Sequence, residues 1–326
     1  MSTTALAPPV PSSDAVPSDW ADLLGRVPLG NTTVPDDTGF VSTAGRARRQ
    51  LPARVHDALV DMGDDALDDI AGALLVRGVP VGALPPTPSS PGGVTGKDHV
   101  SEFVLLTVAR ALGQPVGYLP EHGGALVQDL VPTAAAATRQ TSTSSAVELE
   151  FHTETAFHPF RPRYLLLLCL RGDPDARTLL CDIDQVLDLL EPEVRAVLGE
   201  PRFRTGVDES FTDGTIVDRR PPSAVLSGNP RRPTLVFDAD LMQGTDAEAQ
   251  AALETFQDLT RARRVGLSLE AGDLLVVDND RCIHGRSAFR ARFDGTDRWL
   301  QRSFVVGDLG PSAGERRGRV ITTTFT

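Results

Sequence analysis

Apolar residues recur at helical spacing along residues 52–75, at Val55, Leu59, Met62, Leu67, Ile70 and Leu74, while Asp61, Asp64, Asp65, Asp68 and Asp69 form a solvated acidic face. This pattern predicts one or two helices, then a short strand over 76–81 and a Pro/Ser/Gly-rich surface loop over 84–96. A further helix is predicted over 100–112, closed by Gly113 with Pro115 just beyond. From about residue 124 the pattern changes to short apolar runs separated by turns, at 125–130, 147–152, 164–170, 178–183, 234–237, 274–278 and 299–306. Helical stretches at 186–198 and 246–260 interrupt them. Many short strands at such intervals predict a sandwich or barrel carrying a small helical layer. The βαβ alternation of a doubly wound sheet is missing, as are a G-x-G-x-x-G motif, a P-loop and any internal repeat. Residues 133–146 and 206–232 are too polar and irregular for the sheet, and long loops inside a compact domain are usually functional lids or disordered. Residues 1–19, rich in Pro and Ser without periodicity, read as a disordered tail. That leaves 20–326 as a single domain, with a helical layer at about 50–113 and a β core at about 124–310.

Composition narrows the function. At 326 residues the chain is long enough to bury a core unaided. Lys plus Arg number 32 and Asp plus Glu 44, a formal net charge of −12 with no basic stripe, which argues against a nucleic-acid partner. Cys169, Cys181 and Cys282 are odd in number and show no C-x-x-C spacing. They read as reduced, mostly buried thiols of a cytoplasmic protein, not as a disulfide framework or a thiolate zinc site. No apolar run approaches the roughly 18 residues that span a bilayer, and no signal-peptide pattern opens the chain, so no membrane partner is expected. Lys97 is the only lysine, which suggests a GC-rich genome more than any chemistry.

The candidate chemistry begins at Leu149-Glu150-Phe151-His152-Thr153-Glu154. On a strand, His152 and Glu154 point the same way, giving two-thirds of a facial two-histidine, one-carboxylate iron site. Alone, His-x-Glu is a common tripeptide. A third ligand has to come late in the chain, and His284 follows an apolar strand. Arg298 lies fourteen residues further on, in Asp297-Arg298-Trp299-Leu300-Gln301-Arg302. With period 2, Arg298, Leu300 and Arg302 share a face, and two arginines directed into a β core are costly unless each meets an anion. Trp299 suits the outer face only if a helix covers it.

His-x-Glu, a distal His and an Arg fourteen residues later resemble the iron(II)/2-oxoglutarate dioxygenases, and within them the clavaminate synthase-like branch. Phe157-His158-Pro159 and Leu167-Leu168-Cys169-Leu170-Arg171 are similar as well, and the resemblance runs from about Leu51 to Val306. It implies a mainly β fold with flanking helices around a double-stranded β-helix (jelly-roll) core. It implies His152, Glu154 and His284 as ligands of a catalytic Fe(II), Arg298 as the clamp for the distal carboxylate of 2-oxoglutarate, and Thr178 as its support. The activity implied consumes O2 and 2-oxoglutarate, releases succinate and carbon dioxide, and hydroxylates an unactivated C–H bond. Related halogenases lack the carboxylate, so Glu154 argues against halogenation.

Three features bear on the substrate. Arg302 lies on the face of Arg298 and is placed to hold the carboxylate of an amino acid. Asp238 and Asp240 fall at i, i+2 on one strand face, a like-charge pair that suits a cationic side chain. Asp208 opens the second polar loop, where its carboxylate can close over such a cation. The combination resembles the free-amino-acid hydroxylases of the branch, which act on arginine, lysine or asparagine. By that resemblance Asp238 and Asp240 contact a guanidinium, with Asp208 a weaker candidate; Gln128 and Glu154 address the α-amino group, and Arg302 the α-carboxylate. Ser142 or Ser144 lines the first lid. A small-molecule amino acid is the expected substrate, basic and in particular L-arginine, hydroxylated at C3 or C4 in specialised metabolite biosynthesis; the alternatives are L-lysine or L-asparagine as substrate, desaturation or cyclisation as the reaction, and, more remotely, a non-catalytic jelly-roll binding protein.

Overall fold

The structure, a computed structural model, describes residues 10–28, 35–64, 72–212 and 221–325. Two sheets carry the fold. In the large one the order is Ser12–Asp14, Ala73–Arg77, Leu274–Asp278, Tyr164–Arg171, Trp299–Val306, Gln114–Tyr118, Val320–Ile321 and Arg316–Arg317, with Gln128–Leu130 also pairing with Trp299–Val306. The small sheet runs Val265–Ser268, Arg177–Asp182, Cys282–Arg286, Leu149–His152. Its pairings are antiparallel, as are those at the centre of the large sheet.

The unbroken apolar run in Tyr164–Arg171 follows from burial on both faces. Leu165, Leu167 and Cys169 meet Leu180 and Cys282 of the small sheet in a shared core with Leu300 and Phe304. Leu166, Leu168 and Leu170 pack the other way with Phe103 and Leu106, beneath the helices Thr38–Ala47, Ala53–Gly63 and Val100–Leu112. Trp299 joins this outer cluster, so a helix does cover it and the arginines take the inner face. On the far side of the small sheet, Leu179, Cys181 and Ile283 pack with Leu253 and Phe256 of the helix Ala247–Ala262. This is the jelly-roll architecture with flanking helices that the resemblance implied.

Several local expectations change. Residues 1–9 of the expected tail lie outside the described residues, but Ser12–Asp14 forms a strand parallel to Leu75–Arg77 and Trp20 is wholly buried. The free edge of Ala73–Arg77 supplies partners that no periodicity in the tail reveals. Through Ser12–Asp14, Ala73–Arg77 and Gln114–Tyr118, the β core also draws on residues well before 124. The helix over 52–75 appears as Ala53–Gly63; its residues 65–71 lie outside the described residues, and the strand expected at 76–81 is Ala73–Arg77. The stretch 186–198 is two helices, Asp184–Leu187 and Pro192–Leu198, because Pro192 favours a first-turn position over a helix interior. The second polar loop holds a hairpin, Leu226–Asn229 with Arg232–Leu235, while 213–220 lie outside the described residues. All three cysteines are buried and free. No helix among the described residues is long and apolar enough to cross a membrane.

Candidate active site

His284 lies mid-strand in Cys282–Arg286 and pairs directly across from His152, the last residue of Leu149–His152. Directly opposed residues share a face with their Cβ atoms about 5 Å apart, and the two imidazole centroids are 4.4 Å apart. Glu154 is not on the strand, contrary to the alternation argument. The chain turns after His152, and the side chain of Asn279 holds the turn in place. Asn279 Oδ1 accepts the Glu154 amide at 2.6 Å, and its Nδ2 donates to the carbonyls of Glu154 (3.1 Å) and Pro162 (3.0 Å). Thr153 is tied to the Phe237 carbonyl through its own amide at 2.8 Å.

One ligand atom from each of His152, Glu154 and His284 falls within 4.8 Å of the others. The set fits iron(II) on its chemistry. His152 Nδ1 donates to the Glu150 carbonyl at 2.8 Å, which fixes the tautomer and leaves Nε2 free to bind a metal. Burial, and next the neighbouring His152, push the His284 pKa down to about 4, so its imidazole is neutral, as a ligand must be. Burial works against the charge on Glu154, but Arg302 and next a hydrogen bond from His284 outweigh it and hold the carboxyl at about 2.

The three residues line a cavity of about 450 Å³ whose wall includes Thr178, Asp208, Asp238, Asp240, Arg298 and Arg302. Arg298 is buried, and its Nη2 donates to Thr178 Oγ1 at 3.4 Å; among the described residues it has no carboxylate partner. Arg302 is equally buried but engaged. Its Nε donates to Gln128 Oε1 at 2.9 Å, its Nη2 to Gln128 Oε1 (2.6 Å) and to Glu121, and its Nη1 to Glu154 Oε1 at 3.4 Å. Gln128 therefore stands behind Arg302 and is not part of the cavity wall, which differs from its expected place against an α-amino group. The cross-strand pairing of Arg302 with Gln128 explains this placement.

Asp238 and Asp240 both reach the cavity, but from a turn and not from one strand face. Asp238 bridges to His152, and its Oδ1 accepts the amides of Asp240 (2.9 Å) and Leu241 (2.8 Å). An aspartate that bonds its own backbone two residues on competes with extended structure. Burial raises the Asp238 pKa, against the pull of His152 and these amides. Asp208 caps the short helix Glu209–Phe211 by accepting the Ser210 amide at 2.8 Å. Ser142 lines the cavity, whereas Ser144 lies behind it and accepts from Arg286 at 3.0 Å.

Other residues of the site were not singled out from sequence. Glu121 pairs with Arg302, keeps its other oxygen buried without a partner, and has its pKa raised, chiefly by burial. Arg286, two residues beyond His284 on the same face, ties the first lid to the metal-binding strand through Ser144 and Val147. Arg139 of that lid pairs with Glu209 of the second. Phe211 packs on Phe157, Tyr118 and His158. Spacing alone shows none of these contacts, because each joins distant segments.

A jelly roll carrying a His-Glu-His site and a buried guanidinium with no carboxylate partner among the described residues defines an iron(II)/2-oxoglutarate oxygenase. Residues 44–304 match the family described as taurine catabolism dioxygenase TauD, TfdA family, and the chain belongs to it. It is 41% identical over 295 residues, 88% of this chain and 82% of the relative, to an L-lysine 3-hydroxylase of Catenulispora acidiphila. Among solved structures it is similar to asparagine oxygenase in complex with Fe(II), 2S,3S-3-hydroxyasparagine and succinate (TM-score 0.88, 35% identity, 96% of this chain and 99% of that one). It is also similar to the non-heme iron oxygenase OrfP in complex with Fe, succinate and (3S)-hydroxy-L-Arg (TM-score 0.85, 27% identity, 96% and 100%). The chain is thus an Fe(II)/2-oxoglutarate-dependent dioxygenase whose relatives hydroxylate free amino acids.

Proposed function

We propose that this enzyme hydroxylates an unactivated C–H bond, at C3 or C4, of a free basic L-amino acid, L-arginine foremost, in specialised metabolite biosynthesis. The observation that carries the reading is a single cavity with two kinds of anchor. Arg302 and Glu121 lie beside Glu154, while Asp238 lies beside His152, with Asp240 and Asp208 on the same wall.

Iron held by His152, Glu154 and His284, together with 2-oxoglutarate and O2, supplies the oxidising power that breaks the C–H bond. The protein's part is placement. Arg298 offers a planar fork of donors with one long hydrogen bond to give up, which suits the distal carboxylate of 2-oxoglutarate, and the Thr178 hydroxyl supports the same group. Arg302 receives the substrate α-carboxylate. The ammonium then faces Glu154 and the Glu121 carboxylate that Arg302 holds in the free enzyme. Asp238 has Oδ2 left over after capping its turn, and Asp240 is exposed to the cavity, so together they receive a guanidinium. The lids, clasped by Arg139 and Glu209, exclude water once both substrates are in place.

L-Lysine is the second reading, favoured by the 41% identical lysine 3-hydroxylase, because an ammonium would meet the same acids. The test is 2-oxoglutarate-dependent succinate formation across the common amino acids, followed by the product mass. Stimulation by arginine or lysine with a gain of one oxygen is expected. Stimulation by neutral amino acids alone would overturn the basic substrate, and a loss of two hydrogens would replace hydroxylation with desaturation.

A further inference from the structure

Lys97, the only lysine of the chain, buries its side chain to 2% exposure on the helix-covered side of the large sheet. Its Nζ donates to Glu102 Oε2 at 2.6 Å and to the Asp98 carbonyl at 2.8 Å. Glu102 Oε1 accepts Gln301 Nε2 at 3.0 Å, and the same nitrogen donates to Asp129 Oδ1 at 3.1 Å. Trp299 Nε1 donates to that oxygen at 2.7 Å, and the Ser101 hydroxyl donates to Gln301 Oε1 at 2.7 Å. These contacts form one continuous network in which Lys97 is the permanent cation, while His99 Nδ1 lies 3.9 Å from Glu102 Oε1. Without that ammonium Glu102 is a buried carboxylate left with the neutral donors Gln301 and Ser101 and a histidine at 3.9 Å, and it loses its charge-balancing partner.

The network bears on the active site through strand register. Gln301 and Asp129 are cross-strand partners, and the next pair along is Arg302 with Gln128 on the cavity side. Gln128–Leu130 has three residues and, among the described residues, pairs only with Trp299–Val306. Few bonds hold its register, and a slip of one residue would turn Gln128 away from the guanidinium it grips. Arg298, by contrast, is met by Thr178 of the small sheet.

We infer that Lys97 is a positioning residue for Arg302, acting through Glu102, Gln301 and Asp129 to seat Gln128 behind that guanidinium. A compact ammonium fits this role better than the broad fork of an arginine, in a chain that otherwise uses arginine for every basic side chain of the Lys/Arg kind. The inference rests on reading Arg302 as the anchor of the amino-acid carboxylate.

Anaerobic calorimetry on the iron-loaded full chain tests both. L-Arginine, L-lysine and L-asparagine, and separately 2-oxoglutarate, are titrated into wild type, R302Q, K97M and K97M/E102Q. R302Q and K97M should each weaken the amino acid that binds wild type, K97M by about tenfold, with 2-oxoglutarate affinity within about twofold. K97M/E102Q should recover most of the loss, because no unpaired charge remains and the introduced amide oxygen still accepts from Gln301; it also serves should K97M fail to fold. Unchanged amino-acid affinity in K97M, equal weakening of both ligands, or a double variant no better than K97M overturns the proposal. Loss in R302Q but not in K97M overturns the network alone, whereas an R302Q that binds normally overturns the reading of Arg302 and the proposal with it.

Discussion

Asn279 holds Glu154 through the peptide groups on either side of its Cα, accepting from the amide at 2.6 Å and donating to the carbonyl at 3.1 Å. A ligand that sits just past the end of its strand depends on such a hold. Outer partners of metal ligands typically matter by about 10–100-fold in metal affinity. Asn279→Ala should therefore weaken Fe(II) binding within that range, measured by titration under anaerobic conditions. Unchanged affinity would mean the turn orients Glu154 without help.

Arg298→Ala removes a buried cation that is expected to meet a carboxylate. Truncating one partner of such a pair costs about 2–5 kcal/mol, so the KM for 2-oxoglutarate should rise at least ~30-fold while far-ultraviolet circular dichroism stays that of wild type. A KM within a factor of two of wild type would refute the clamp.

Asp240→Asn tests the acidic wall more cleanly than a change at Asp238, since Asp238 also caps its turn. A hydrogen bond to a charged group contributes about 1.5–3 kcal/mol, so a basic substrate should lose about tenfold or more in kcat/KM, and a neutral analogue far less. Equal losses for both would make the acid structural.

Asp278 gives a stability prediction. Burial raises its pKa from 3.8 to about 6, against the pull of Arg163, which donates to both carboxylate oxygens at 2.9 and 3.0 Å. A carboxyl raised in the folded state contributes stability that is full below its unfolded pKa and fades as pH climbs through the folded one. The Tm of Asp278→Asn relative to wild type should therefore improve between pH 4 and pH 7. A difference that stays flat would show that the ion pair with Arg163 offsets burial, and one that moves the other way that it outweighs burial.

What could be read from the chain depended on how local the cause was. The helix over 100–112 appears as Val100–Leu112, and its C-terminal end was readable because Gly113 and the Pro115 beyond it act on the backbone where they stand. The inward face of Arg298 and Arg302 was readable because two buried cations need anions wherever the sheet lies. Glu121, Asn279 and Arg286 were invisible because their partners lie far away in sequence, and only strand register brings them close. Period-2 reasoning places Asp238 and Asp240 on a strand because it ignores an aspartate's capacity to bond its own backbone. Ser12–Asp14 was missed for a related reason, since its order comes from the sheet edge it joins.

The iron ligands belong to the small sheet and the turn after it, whereas Arg302 belongs to the large one and Arg298 directly precedes the same strand, Trp299–Val306, with Leu165, Leu167 and Leu300 at the seam between the sheets. On the roles proposed for Arg298 and Arg302, the distance from the metal to the carboxylates they hold depends on how thick that apolar filling is. A single methylene added or removed at Leu167, touching no polar group, would act like changing a shim in a vice: it would move the target carbon relative to the oxidant and alter which C–H bond is cut before it altered whether the protein folds.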